Sequence, residues 1–325
     1  MNPIKVATLF SGYDSQCLAL ERIGIPYDLV LWSEIDKFAI QAHNALFPQY
    51  VARNAGDVCK IDWHNAPDID LLTYSSPCQD FSNVGQRKGG DKGSGTRSSL
   101  LWEVQKAIEV KRPKYLLFEN VAAIASKNFI KMFNSWQLTL EQYGYTNYTE
   151  ILNARDYGVP QSRKRVFMVS ILHPMQPFVF PKPQPLTRLM KDLFEDTIDE
   201  KYYCSQKFIE CMHRYNQRKL ERGYDCHFTT TDGNSIAKTI TTCPATRPLG
   251  NYIRTDNRIR RTTPRECFRL MGVSDKDIDI LQSAGISETQ QYKLAGNSIV
   301  VDVLAAIFRQ LLSDKKETQK QLVLF

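Results

Sequence analysis

The chain has 325 residues, 42% apolar and 24% charged, and its 42 Lys and Arg against 35 Asp and Glu give a formal net charge of +7. That length buries one large core and a smaller one, the composition excludes a disordered or fibrous chain, and the apolar runs are too short to cross a bilayer. Eight cysteines without a CxxC pair exclude a disulfide framework and a standard zinc module, and Met1-Asn2-Pro3-Ile4-Lys5 has no leader pattern, so no membrane partner and a cytoplasmic location are expected.

Lys5 to Phe10 reads as a first strand, and Ser11-Gly12-Tyr13-Asp14-Ser15 as a turn into an amphipathic helix through Leu18, Leu20 and Ile23. A second strand, Leu29 to Ser33, ends on Glu34, about twenty residues past Gly12, where nucleotide folds place the acid that binds ribose hydroxyls. Asp36 caps a following helix, and Gly56-Asp57-Val58 closes another unit. Ile69 to Tyr74 is a short strand, after which Pro77 forbids both helix and ladder and leaves Cys78 at the strand's carboxyl end. Helices are expected over Leu100–Val110 and Lys131–Tyr143, and a buried strand over Tyr115–Phe118 ends on Glu119-Asn120. Strands near Tyr148–Leu152 and Val166–Ile171 flank Gln161-Ser162-Arg163-Lys164-Arg165. This alternation is a doubly wound α/β sheet, in which Glu34, Asp57, Cys78 and Glu119 at strand ends line one crevice.

The character changes after Leu172. Five prolines between Pro174 and Pro185 make an extended connector, and Lys201–Arg222 is a basic helix candidate. A Thr-, Asn-, Gly- and Arg-rich stretch then runs to Arg261. Between Lys201 and Arg265 there are 13 Lys and Arg against 5 Asp and Glu, so this segment carries the basic excess and suggests a polyanion partner. Cys204, Cys211, His213, Cys226 and His227 gather there, but their spacing fits no standard zinc pattern and no metal is expected. Helical periodicity returns at Pro264, and Gly296-Asn297-Ser298 precedes an apolar helix over Ile299–Leu312 and a charged tail.

Taken in order, these residues resemble the DNA (cytosine-5) methyltransferase family of the bacterial and phage kind. Leu9-Phe10-Ser11-Gly12 is similar to its methyl-donor loop, Pro77-Cys78-Gln79 to its nucleophile motif, and Glu119-Asn120-Val121 to the acid partner. Gln161 to Arg165 fits its QxRxR, Thr263-Pro264-Arg265-Glu266 its ninth motif, and Gly296-Asn297-Ser298 its tenth. One departure stands out, since the first motif usually reads FxGxG and the second glycine is here Asp14, which can still cap the helix.

The resemblance implies a Rossmann-like methyltransferase sheet with a smaller, loop-rich target-recognition domain. The catalytic domain would be discontinuous, residues 1–172 plus 288–325, with recognition over 173–287 and a flexible tail over 313–325. It implies catalysis by Cys78, Glu119, Arg163 and Arg165. S-adenosylmethionine would be held by Phe10, Gly12, Glu34, Ile35, Asp57, Val58, Pro77, Asn297 and Ser298. Double-stranded DNA would be met by Gln79, Ser82, Arg87, Arg97, Thr239, Thr241, Arg261 and Arg265, with the glycine-rich, basic stretch from Gln79 to Gly95 as a lid. A restriction-modification or phage-protection role and a monomer are the family expectation. Gln321-Leu322-Val323-Leu324-Phe325 resembles a peptide that docks on the sliding clamp. A zinc deaminase would need PCxxC, and Phe81 stands at the later position. The broken glycine pattern disfavours an NAD-dependent oxidoreductase, whereas a tRNA cytosine methyltransferase on the same fold and a non-catalytic DNA-binding protein stand as alternatives.

Overall fold

The computed structural model describes residues 2–76, 97–225, 228–243, 248 and 250–312, and the chain divides into two compact units. The first comprises Met1–Leu152, Lys164–Lys182 and the chain from Val303, and the second Asn153–Arg163 and Pro183–Asp302. The first unit is therefore discontinuous, but the chain rejoins it at Val303, not at 288, and the short run Asn153–Arg163 groups with the second unit.

In chain order the first unit runs β1 (Ile4–Leu9), α1 (Ser15–Ile23), β2 (Tyr27–Ser33), α2 (Lys37–Leu46), β3 (Leu71–Tyr74), α3 (Val104–Lys111), β4 (Tyr115–Val121), α4 (Ile130–Gln142) and β5 (Tyr145–Asn153). After the two-residue β6 (Gln161–Ser162), β7 (Lys164–Leu172) completes a six-stranded sheet in the order β2-β1-β3-β4-β7-β5. β2, β1, β3 and β4 are mutually parallel, the direction that helical crossovers impose. The fold is the expected Rossmann-like α/β sheet, with β7 running antiparallel to β4.

Period-two alternation sorts the strands. Leu72, Tyr74, Leu116, Phe118, Val166 and Met168 share a core with Val104, Ile108, Phe133, Trp136 and Leu140 of α3 and α4. The intervening Leu71, Thr73, Leu117 and Phe167 are buried as well, so both faces are covered and the strands read as continuous apolar runs. Trp136 fixes the carboxyl end of β3 by donating its indole N–H to the Tyr74 hydroxyl at 3.2 Å.

Three local expectations change. Glu119 lies inside β4, because the ladder with β7 extends through Val121. Asp57 ends no strand and instead caps a single 3-10 turn, Val58–Lys60. The helix expected over Leu100–Val110 opens as a 3-10 segment, Arg97–Glu103, and becomes α-helical only at Val104.

The second unit adds α5 (Gln206–Leu220), β8 (Thr230–Thr231), β9 (Ala237–Lys238), β10 (Tyr252–Thr255), β11 (Arg258–Arg261), α6 (Pro264–Arg269), α7 (Asp275–Ser283) and α8 (Glu288–Asn297). Its sheets are small, β11-β10-β8 and the pair β6-β9. A modest core of Met212, Phe228 and Tyr252 agrees with a loop-rich composition. α9 (Val301–Leu311) begins at the division and continues into the first unit. Among the described residues one helical stretch, Glu288–Leu311, is long and apolar enough by composition to cross a membrane, which the run lengths in the sequence did not anticipate. It is interrupted by extended backbone at Ser298 and is two-thirds buried within the protein, as a core helix is.

Candidate active site

The first polar cluster forms where β1 and β2 end. The β1–α1 turn carries positive φ at Phe10, Gly12 and Asp14, a backbone path that costs glycine least. That path aims the Gly12 N–H at Glu34 Oε2, 2.9 Å away. Oε1 of Glu34 accepts from the Ile35 and Asp36 N–H groups at 2.8 and 2.9 Å. Three backbone donors thus orient the carboxylate, and a carboxylate has about four acceptor sites, so one remains for a ligand hydroxyl. Ile35 beside it is 72% exposed. Asn54 joins the β2 end to the next turn by accepting from Gly56 N at 2.9 Å, while Ser33 Oγ donates to Gly56 O at 2.6 Å. Asp57 and the buried Val58 follow directly. Asp14 caps α1 through Cys17 N, as expected, and its side chain is fully buried. It does not protrude into the space over the turn.

The second cluster forms where β3, β4 and β7 meet. Glu119 pairs across the ladder with Phe167, and Val121 with Arg165, so Glu119 and Arg165 are diagonal neighbours on one sheet face. Arg165 Nε lies 3.2 Å from Glu119 Oε1, both side chains being largely buried. Asn120 projects to the other face, where Nδ2 donates to the Ser76 carbonyl at 3.1 Å. This bond holds the chain two residues before Cys78. Pro77, Cys78, Gln79, Ser82 and Arg87, the lid stretch and the Gln321–Phe325 peptide lie outside the described residues, as does the Arg97 side chain. Among the described residues Ser11 Oγ, Thr73 Oγ1 and Ser76 Oγ are buried without a hydrogen-bond partner. These orphaned polar atoms sit at or near the carboxyl ends of β1 and β3, where a ligand is expected in such a sheet.

The second unit receives Arg163, which the sequence paired with Arg165. Its guanidinium is 4% exposed and donates to the carbonyls of Ile240, Gly296 and Ser298 at 2.8, 3.0 and 2.9 Å. Arg163 thus donates to backbone carbonyls of the second unit, and Arg165 meets Glu119. Sequence reasoning gave Gln161 no separate role, yet it bridges the Leu270 carbonyl and the Ile240 N–H, and Thr239 donates to the Ser162 carbonyl at 2.6 Å. The close packing of Thr241–Thr242 backbone on Gly296, where a Cβ would come within 2.4 Å, is why that position needs glycine. Thr241 is half-buried beside this contact. Asn297 closes α8 and Ser298 caps it, with Ser298 Oγ donating to Ala295 O. Arg265, expected on DNA, is surrounded by Glu195, Asp275 and Asp279. Three carboxylates outweigh its charge, so it presents no free cation to a phosphate. Arg261 donates to the Lys201 carbonyl at 2.8 Å. Cys226 and His227 lie outside the described residues, and among those described no group of three His, Cys, Asp or Glu could hold a metal ion.

Burial pushes the thiols of Cys17, Cys204 and Cys267 upward, Cys267 to about 12, and desolvation with Asp57 nearby does the same at Cys59. These groups are kept protonated and do not supply a thiolate.

The model of the family described as C-5 cytosine-specific DNA methylase matches residues 4–313. The chain is 37% identical to the type II methyltransferase M2.ScrFI of Lactococcus lactis subsp. cremoris, over 95% of this chain and 99% of that relative. It is 27% identical to the orphan methyltransferase M.SPRI of Bacillus phage SPR, over 96% and 98%. Among solved structures, S. pombe Dnmt2 methyltransferase superposes with a TM-score of 0.77 at 20% identity, over 96% of this chain and 99% of that one, a likeness of fold.

Proposed function

The chain belongs to the family of C-5 cytosine-specific DNA methylases and is a DNA (cytosine-5) methyltransferase; from that premise we propose that it moves a methyl group from S-adenosylmethionine to carbon 5 of a cytosine swung out of double-stranded DNA, through covalent addition of Cys78. The observation that supports this most directly is the Glu119–Arg165 pair, adjacent in sequence to the Asn120 bond that holds Ser76.

The β1–α1 turn fits the donor. The free acceptor site of Glu34 suits the ribose hydroxyls, the exposed Ile35 an apolar base face, and Asp57 an adenine amino group, with Phe10 and Gly12 near the methionine portion. Bound there, S-adenosylmethionine would supply a methyl on a positively charged sulfur, the sulfur keeping the electron pair of the broken S–CH3 bond and leaving as a neutral thioether. Cytosine carbon 5 is a poor nucleophile while the ring is aromatic. The Cys78 thiolate forms a bond to ring carbon 6, and the displaced electron pair makes carbon 5 enamine-like, able to take the methyl. Glu119 protonates or hydrogen-bonds ring nitrogen 3 as electron density arrives, and Arg165 holds its carboxylate in place. Loss of the carbon 5 proton then returns an electron pair to the ring and expels the thiolate. Inside a duplex carbon 6 is unreachable, so the base must leave the stack, at a cost of a few kcal/mol. Sequence recognition is assigned to the second unit, whose 201–265 stretch holds 13 Lys and Arg against 5 Asp and Glu.

Glu119→Gln is the test. It keeps the volume and a polar contact to Arg165 but removes the acid, so kcat should fall about 100-fold with donor affinity changed by no more than about threefold. A rate within twofold of wild type would remove Glu119 from the chemistry.

A further inference from the structure

We propose that His43 and Asp14 form a buried brace that positions the methyl-donor turn, so that donor affinity depends on two side chains lying beneath the donor site. The inference rests on the donor reading of the β1–α1 turn given above. Asp14 stands where the resembled family carries glycine, and here it adopts φ 68 and ψ 63, a left-handed conformation unfavourable for a residue with a Cβ. Both Asp14 and His43 are 0% exposed. The Thr8 hydroxyl donates to Asp14 Oδ2 at 2.7 Å and the Cys17 N–H to Oδ1 at 3.2 Å. His43 Nε2 faces Oδ2 at 3.6 Å, beyond hydrogen-bond distance.

His43 also reaches the other side of the site. Its ring stacks on Trp32 at 3.7 Å and 14°, and Trp32, fixed by donation to the Tyr50 carbonyl at 2.8 Å, lies two residues before Glu34. Asp14 lies two residues after Gly12. One imidazole therefore supports both partners of the Gly12–Glu34 bond, the turn through Asp14 and the acid through Trp32. Without the imidazole, the buried carboxylate loses the ring nitrogen facing it and Trp32 its stacking partner, and a cavity is left between them. Turning the β1–α1 turn toward water relieves this, and that movement withdraws Gly12 N–H from Glu34.

The test compares His43→Leu, His43→Gln, Asp14→Gly and the double variant Asp14→Gly/His43→Leu by calorimetric titration with S-adenosylmethionine, and separately with duplex DNA in the absence of donor. His43→Leu should raise the donor Kd at least about tenfold, His43→Gln, which keeps a polar side chain facing Asp14, by no more than about threefold, and the double variant should stay within about threefold of Asp14→Gly alone. DNA affinity should stay within about twofold throughout, which a loss of fold would not allow. A His43→Leu donor Kd near wild type, or a double variant as weak as His43→Leu, overturns the brace. A wild-type protein that binds no donor overturns the donor reading and the brace with it.

Discussion

Cys78→Ser is expected to lower methyl transfer by about 1,000-fold or more while donor and DNA affinities change by no more than about threefold. A serine hydroxyl is scarcely ionised near neutral pH, and its oxygen adds to ring carbon 6 far less readily than a thiolate. The rest of the site would be intact, since Glu119, Asn120 and Ser76 are fixed by contacts that do not involve the thiol. Steady-state transfer of labelled methyl, with separate titrations of donor and DNA, reads the split. Residual activity above a tenth of wild type would mean that another group is the nucleophile. Four of the described cysteines are poor substitutes, because their thiols are pushed upward and stay protonated.

The second large effect concerns stability. Glu266 and Arg260 are 1% and 2% exposed in their side chains and meet through two parallel bonds of 2.8 and 2.9 Å. The same carboxylate accepts from Thr263 N at 3.0 Å, closing a capping box at the start of α6, and from Glu195 N at 3.2 Å. Glu266→Ala strands a buried guanidinium and two backbone donors, and should cost the second unit about 3–5 kcal/mol, a fall in melting temperature of the order of 10 °C. Arg260→Met/Glu266→Leu, which removes both charges, should be less destabilising than the single change. Urea unfolding followed by fluorescence measures both. A loss below about 1 kcal/mol for Glu266→Ala would show that Arg260 finds water or another partner.

Much of the first unit was legible because parallel strands covered on both faces are rich in apolar residues, as the centres of β1 to β4 are. What was hidden lies in partners far along the chain. Glu119 seemed to follow a strand because Glu and Asn are poor strand formers; pairing with β7 carries the ladder past both. The antiparallel direction of β7 has no local signal either. Arg163 and Arg165 look equivalent in Gln161-Ser162-Arg163-Lys164-Arg165, yet one lies in a nest of carbonyls from residues 77 to 135 positions away and the other beside Glu119. Arg265 was expected on DNA from its place in the ninth motif. The structure surrounds it with Glu195, Asp275 and Asp279, and gives the neighbouring Glu266 to Arg260. The Asp14 departure was visible in the sequence, but the buried contact with His43 was not, because His43 sits on α2, away from the turn in sequence.

The most direct test of the central claim is to incubate wild-type protein with S-adenosylmethionine labelled in its methyl group, beside mixed-sequence double-stranded DNA and beside transfer RNA, and to digest the products to nucleosides. The account predicts label in DNA alone, recovered as 5-methylcytosine. Label in transfer RNA instead, or none on DNA from a protein that demonstrably binds the donor, would contradict it.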